Sequence, residues 1–225
     1  MNVPQQRIVI VGATGMVGGE ALKLCLAHPA VAQVTVVGRR SVGVKDPKLV
    51  EVLHPDFGDC SALAQALTNQ DAALFCLGAY TGSVPDDLFK KITVDYAVEF
   101  AKVLKAKSPQ ATFCLLSGAG ADPSEKSRIA FARYKGMAEN ALQKMNFGRV
   151  HLLRPAYIYP VEPRQEPNFT YRLSRWLYPV LKRLMPGSVI TSVELAQGLV
   201  TAALDGTGPH TDPVLENTEI KALLK

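Results

Sequence analysis

Apolar residues in this chain come in short unbroken runs, separated by longer stretches in which apolar positions recur every three or four residues. The first run is Ile8-Val9-Ile10-Val11, and Gly12 stops it. Similar runs lie at 34–37, 49–53, 72–77, 112–116 and 150–153. Continuous rather than alternating apolar character predicts strands covered on both faces, as in a parallel sheet. Stretches with helical spacing over 20–27, 61–67, 86–105 and 129–145 alternate with these strands. The expected fold class is α/β: a doubly wound parallel sheet in one domain over residues 1–225.

After Arg154-Pro155 the pattern changes. Pro160, Pro163 and Pro167 mark a loop, and a helix is expected over 169–185. Thr191-Ser192-Val193-Glu194 is a capping box that opens a helix to about residue 204. Residues from about 157 to 225 are expected to be mainly a small C-terminal cap. Doubly wound sheets hold ligands at the carboxyl ends of their strands, so the cap would close over that edge.

The first strand-to-helix turn carries the clearest chemistry. In Gly12-Ala13-Thr14-Gly15-Met16-Val17-Gly18 three glycines recur at intervals of three. Gly12 can take the angles of a tight turn, Gly15 lets a phosphate approach the main chain, and Gly18 lets helix and strand pack closely. The N–H groups and positive dipole end of the following helix then face that phosphate. Gly12, Thr14, Gly15, Met16 and Val17 are therefore expected to bind a dinucleotide.

Arg39 and Arg40 leave the second strand about twenty residues beyond the third glycine. An acidic residue at that place holds the ribose diol of NAD, whereas arginine pairs with the 2′-phosphate of NADP. No Asp or Glu stands there, so NADP(H) is expected in preference to NAD(H). Asp59 and Cys60 follow the third strand, where a carboxylate can accept from an adenine amino group or can instead cap the next helix ahead of Ser61. Leu77 and Gly78 end the fourth strand beside the glycine turn, and their backbone should line the cofactor. Ser117 ends the fifth strand in Leu116-Ser117-Gly118-Ala119-Gly120, where small neighbours leave room for a substrate.

Together, the glycine motif, Arg39, Ser117, the Lys135-Gly136 helix and Arg154-Pro155 resemble the short-chain dehydrogenase/reductase superfamily. The closer resemblance is to its atypical NAD(P)-binding branch, and it covers nearly the whole chain through the closing segment at 214–220. It implies an NAD(P)-binding Rossmann fold and an oxidoreductase acting on a small carbonyl or alcohol. The family's catalytic set is Ser, Tyr and a Lys four residues after the Tyr. Ser117 and Lys135 match, but Phe131 occupies the tyrosine position and has no proton to give. The nearest phenol is Tyr134, about 100° from Lys135 around the helix axis; it is the candidate proton donor, with a partly exposed residue of an amphipathic helix as the other reading of it. Lys135 is also expected to hold the cofactor ribose, and Pro155, Ala156 and Tyr157 to line the nicotinamide end. A non-catalytic protein that senses NADP(H), or acts in assembly, is the alternative that Phe131 raises. Long helices near 86–105 and 129–145 pair across a dimer in many relatives, which makes a homodimer an expectation from the resemblance.

Composition narrows the classes. The 225 residues are 48% hydrophobic and 20% charged, ordinary for a globular protein. The net charge of +5 has no continuous basic run and no aromatic platform behind it, so a nucleic-acid partner is not expected. The residues at 172–184 mix Leu and Trp with basic side chains. They read as a cap helix with a solvated basic face in preference to a membrane-surface helix. Cys25, Cys60, Cys76 and Cys114 show no metal-type spacing, and no metal is expected. No apolar run reaches membrane-spanning length and no leader precedes the first strand, so a reduced cytoplasmic protein is expected.

Overall fold

The computed structural model describes residues 5–162, Tyr178 and residues 182–225. The basic stretch at 172–184 and the helix expected over 169–185 therefore lie almost wholly outside the described residues. In β1 (Gln6–Val11), Ile8 and Ile10 point to one face of the sheet and Val9 and Val11 to the other, and all four are buried. That two-residue alternation between two cores is why the run is apolar throughout.

The other strands of the sheet are β2 (Val31–Gly38), β3 (Leu49–Leu53), β4 (Ala72–Phe75), β5 (Thr112–Leu116), β6 (Arg149–Arg154) and, nearly at the chain's end, β9 (Val214–Glu216). Their order is β3-β2-β1-β4-β5-β6-β9, and every pairing is parallel. The order reverses direction at β1, between β2 and β4. A crevice opens at such a reversal because the flanking connections leave toward opposite faces.

Helix α1 (Met16–Ala27) covers the face carrying Ile8, Ile10, Val34 and Leu74. The opposite face packs Phe75, Phe113 and Leu115 against Phe100 and Leu104 of α3 (Tyr96–Lys107) and Ala138 and Leu142 of α4 (Ala130–Lys144). Stacked, tilted and edge-on contacts link Phe75, Phe100 and Phe113, with ring centroids 5.6–6.3 Å apart.

Three elements differ from the sequence reading. The helix expected over 61–67 is only a single 3-10 turn, Ser61–Leu63. The long helix expected over 86–105 starts as α2 (Asp86–Lys90), widens into a π turn at Lys91–Asp95 and continues as α3. The wider turn rotates the helix so that Thr93 and Val94 are buried ahead of the α3 core face. The third difference concerns the C-terminal stretch, which is more than a cap. Its helix α5 (Ser192–Leu204) brings Leu195, Leu199 and Ala203 into the same core as α1, and β9 extends the main sheet beside β6. The capping box at Thr191 and Glu194 forms as read, with both of its hydrogen bonds present. What lies over the strand ends is a two-stranded parallel pair, β7 (Tyr157–Tyr159) with β8 (Val189–Thr191). After β9, α6 (Asn217–Ala222) closes the chain. Among the described residues no helix is long and apolar enough to cross a membrane.

Candidate active site

The glycine turn is shaped by close approach. Gly12 has φ +86°, and a Cβ on it would lie 2.8 Å from the backbone of Cys76 at the end of β4. A Cβ on Gly18 would lie 2.3 Å from the Gly12 carbonyl oxygen. Both positions thus exclude a side chain, one by backbone angle and contact, the other by contact alone. The Gly15 N–H donates to the Gly12 carbonyl at 2.9 Å and closes the turn. No side chain caps the N-terminus of α1, so the first N–H groups of that helix remain available to an anion.

Two hollows flank this turn, with Leu77 on the wall of both. The smaller is bounded by Gly12, Ala13, Thr14, Gly38, Arg39, Arg40 and Phe57. Both arginines are exposed at its rim, and the loop after them is braced because Glu51 accepts from Ser41 Oγ at 2.8 Å and from the Val42 N–H at 2.7 Å. Asp59 and Cys60 are not on its wall. The Asp59 carboxylate accepts from the Ser61 N–H at 2.9 Å, which is the local turn role, and that bond holds it below the usual carboxylate range. Cys60 is buried, with its thiol directed to the Phe57 carbonyl and pushed up to about 12 by burial.

The larger hollow is a cleft of about 310 Å³ at the carboxyl ends of β1, β4, β5 and β6. Gly15, Met16, Val17, Leu77 and Gly78 form one wall, while Ser117, Phe131, Lys135, Pro155 and Ala156 form the other. Tyr157 is not among the lining residues, although Ala156 and Ile158 are. Successive residues of a strand face opposite ways, which accounts for the skip.

Ser117 and Lys135 are brought together on one wall. The Lys135 ammonium donates to the Leu116 carbonyl oxygen at 2.9 Å. Burial pulls its pKa down to about 8, with the Glu139 carboxylate one turn further along α4 opposing the shift. Ser117 Oγ is hydrogen-bonded to the Glu139 carboxylate, which is itself completely buried. The guanidinium of Arg154 then holds both Glu139 oxygens, from Nε at 3.0 Å and from Nη2 at 2.5 Å.

Tyr134, the candidate phenol, does not face the cleft. Its side chain is buried against Phe89 and Val94, its hydroxyl donates to Asp86 Oδ2 at 2.6 Å, and it is absent from the cleft wall. One residue along a helix is a rotation of about 100°, enough to turn Tyr134 onto α2 while Lys135 faces the cleft. Phe131, one turn before Lys135, is the aromatic residue that does line it. A Cβ on Gly118 would lie 2.4 Å from Phe131 Cζ, so the ring tip occupies the space that glycine leaves beside Ser117.

The sequence reading missed Glu139, and it quoted Arg154 only within a motif. One signal was present: Phe131, Lys135 and Glu139 recur every four residues and share a helix face. What could not be read was that β6 would bring a guanidinium to that face.

Residues 12–164 match the family model described as NAD(P)H-binding. The chain is 29% identical over 159 residues to protein HTATIP2 of Rattus norvegicus, a match spanning 70% of this chain and 64% of the rat protein. It is 26% identical over 219 residues to the mitochondrial protein FMP52-1 of Scheffersomyces stipitis, covering 95% of each. Among solved structures, a short-chain dehydrogenase family protein from Francisella tularensis superposes with a TM-score of 0.65 at 14% identity, over 94% of this chain and 96% of that one. The Bordetella bronchiseptica enzyme WbmF, in complex with NAD+ and UDP, gives 0.67 at 17% identity, over 98% of this chain and 76% of that one. With the glycine turn, the parallel sheet and the cleft at its reversal, these likenesses identify the chain as a member of the NAD(P)H-binding family, with the fold of the short-chain dehydrogenases.

Proposed function

We propose that the protein is an atypical short-chain dehydrogenase/reductase that binds NADP(H) in preference to NAD(H) and acts on a small carbonyl or alcohol. The observation that carries this reading is the pair of hollows on either side of the glycine turn, beside an uncapped helix N-terminus. One presents Arg39 and Arg40, and the other presents Ser117 and Lys135. The residues fit the cofactor. The first turn of α1 would take the pyrophosphate, the arginines a 2′-phosphate, and Lys135 a ribose hydroxyl. The bound nicotinamide supplies or accepts a hydride, while this chain's residues bind and orient the two partners and exclude water.

Phe131 favours a second reading, an NADP(H)-sensing protein without turnover, because a benzyl ring on the cleft wall can neither give nor take a proton. A reduced cytoplasmic setting and a small-molecule substrate belong to the first proposal. All four cysteines are free thiols; the fungal relatives are named as mitochondrial proteins.

The test is equilibrium titration of the full chain with NADPH and NADH, followed by turnover assays with a panel of small alcohols and ketones. Tighter binding of NADPH with turnover supports the oxidoreductase. Tight binding without turnover moves the assignment to the sensor, and the absence of dinucleotide binding overturns both.

A further inference from the structure

Glu139 is the one carboxylate completely buried among the described residues, and it sits directly behind Ser117. The guanidinium of Arg154 pairs with both of its oxygens, and a carboxylate held in such an ion pair accepts hydrogen bonds and donates none. In the Ser117–Glu139 bond the proton must therefore come from Ser117. A serine hydroxyl has one proton and two lone pairs, so once the proton points inward its oxygen can offer the cleft only lone pairs. On the same wall Lys135 is a donor, with one of its three N–H groups on the Leu116 carbonyl. Phe131 beside them is apolar.

We propose that Glu139 is a positioning residue that fixes Ser117 as a hydrogen-bond acceptor, so that the cleft selects an alcohol over the matching ketone. A hydroxyl can donate to Ser117 and accept from Lys135 at once. A ketone oxygen can only accept, and it would set its lone pairs against those of Ser117. The substrate class is thus a small alcohol carrying an apolar group that packs on Phe131. The proposal rests on the oxidoreductase reading for its biological meaning, but the selectivity belongs to the cleft itself and can be measured without cofactor.

The experiment follows amide shifts of the ¹⁵N-labelled full chain during titration with cyclohexanol and with cyclohexanone, two probes sharing one ring. The wild-type protein is expected to bind cyclohexanol about fivefold more tightly, the size of one net hydrogen bond, with shifts centred on Gly118. Ser117→Ala should bring the two probes close to parity. Glu139→Gln should turn the preference toward cyclohexanone, because the new amide can donate to Ser117 and release its proton to the cleft. A purely structural role for Glu139 would weaken both probes together. Equal binding to the wild type, no saturable alcohol binding, or a preference that survives Ser117→Ala overturns the proposal. Where Glu139→Gln does not fold, Ser117→Ala decides alone. NADPH titrated into the same sample separates the two readings. Loss of alcohol selectivity with NADPH still bound removes only this inference, and failure to bind NADPH removes only the cofactor assignment.

Discussion

Arg154 at the end of β6 meets Glu139 on α4 through two parallel hydrogen bonds, at 3.0 and 2.5 Å, with the Glu139 side chain only 1% exposed. The pair joins a strand to the helix that carries Lys135 and so fixes one wall of the cleft.

A buried charge left without its partner is costly. Arg154→Met is expected to destabilise the fold by about 3–5 kcal/mol, measured by urea denaturation. The double variant with Glu139→Met should lose clearly less, because no orphan charge remains. Equal losses would mean that the pair contributes packing rather than charge compensation.

Arg39 and Arg40 border the smaller hollow, where a 2′-phosphate would sit. Replacing both by Ala should weaken NADPH binding by about tenfold or more, in line with losing charge-assisted bonds, and should hardly change NADH. Fluorescence titration of both nucleotides reads the difference. A parallel loss for NADH would remove the 2′-phosphate assignment.

Lys135 titrates near neutrality because its ammonium is held out of water, at about 8 instead of 10.5. Cofactor affinity that depends on the ammonium should fall as pH rises through 8, by about tenfold at one unit above it. Stability moves the other way. The folded pKa is depressed, so between about 8 and 10.5 the unfolded chain binds more protons than the native one, and the Lys135 contribution to stability rises with pH. Melting temperatures of wild type and Lys135→Met, compared across that window, should converge upward for the wild type. A constant gap would place the titration elsewhere.

Phe131 stands one turn before Lys135 and faces the cleft. Phe131→Tyr supplies a phenol on that wall and is expected to raise NADP⁺-dependent oxidation of small alcohols by about 100-fold, the scale of positioned acid–base catalysis. The rate of reduced-nicotinamide absorbance gain measures it. No gain with cofactor still bound would show that the ring, packed on Gly118, cannot present a hydroxyl to the substrate.

Gly18 leaves no room for a methyl group, since a Cβ would meet the Gly12 carbonyl oxygen at 2.3 Å. Gly18→Ala should cost about 1–3 kcal/mol by overpacking the turn against α1 and weaken NADPH as the turn shifts. A thermal melt with and without NADPH separates the two effects, and an unchanged melting temperature would contradict the close packing.

The glycine turn, the apolar strands and the position of Ser117 and Lys135 were legible in the sequence because each depends on neighbours close along the chain. Backbone angles, two-residue alternation and one helical turn set them. The place of β9 beside β6 was not legible, because a three-residue strand has no periodicity to detect and its pairing lies some sixty residues away. The turning of Tyr134 away from the cleft was already contained in the helix geometry, its 100° rotation from Lys135; only the packing of α2 showed where its hydroxyl goes. The polarity of Ser117 was decided by tertiary structure alone. A carboxylate from α4 and a guanidinium from β6 converge behind it, and no local pattern encodes the meeting of side chains from elements that pack only once the sheet has formed.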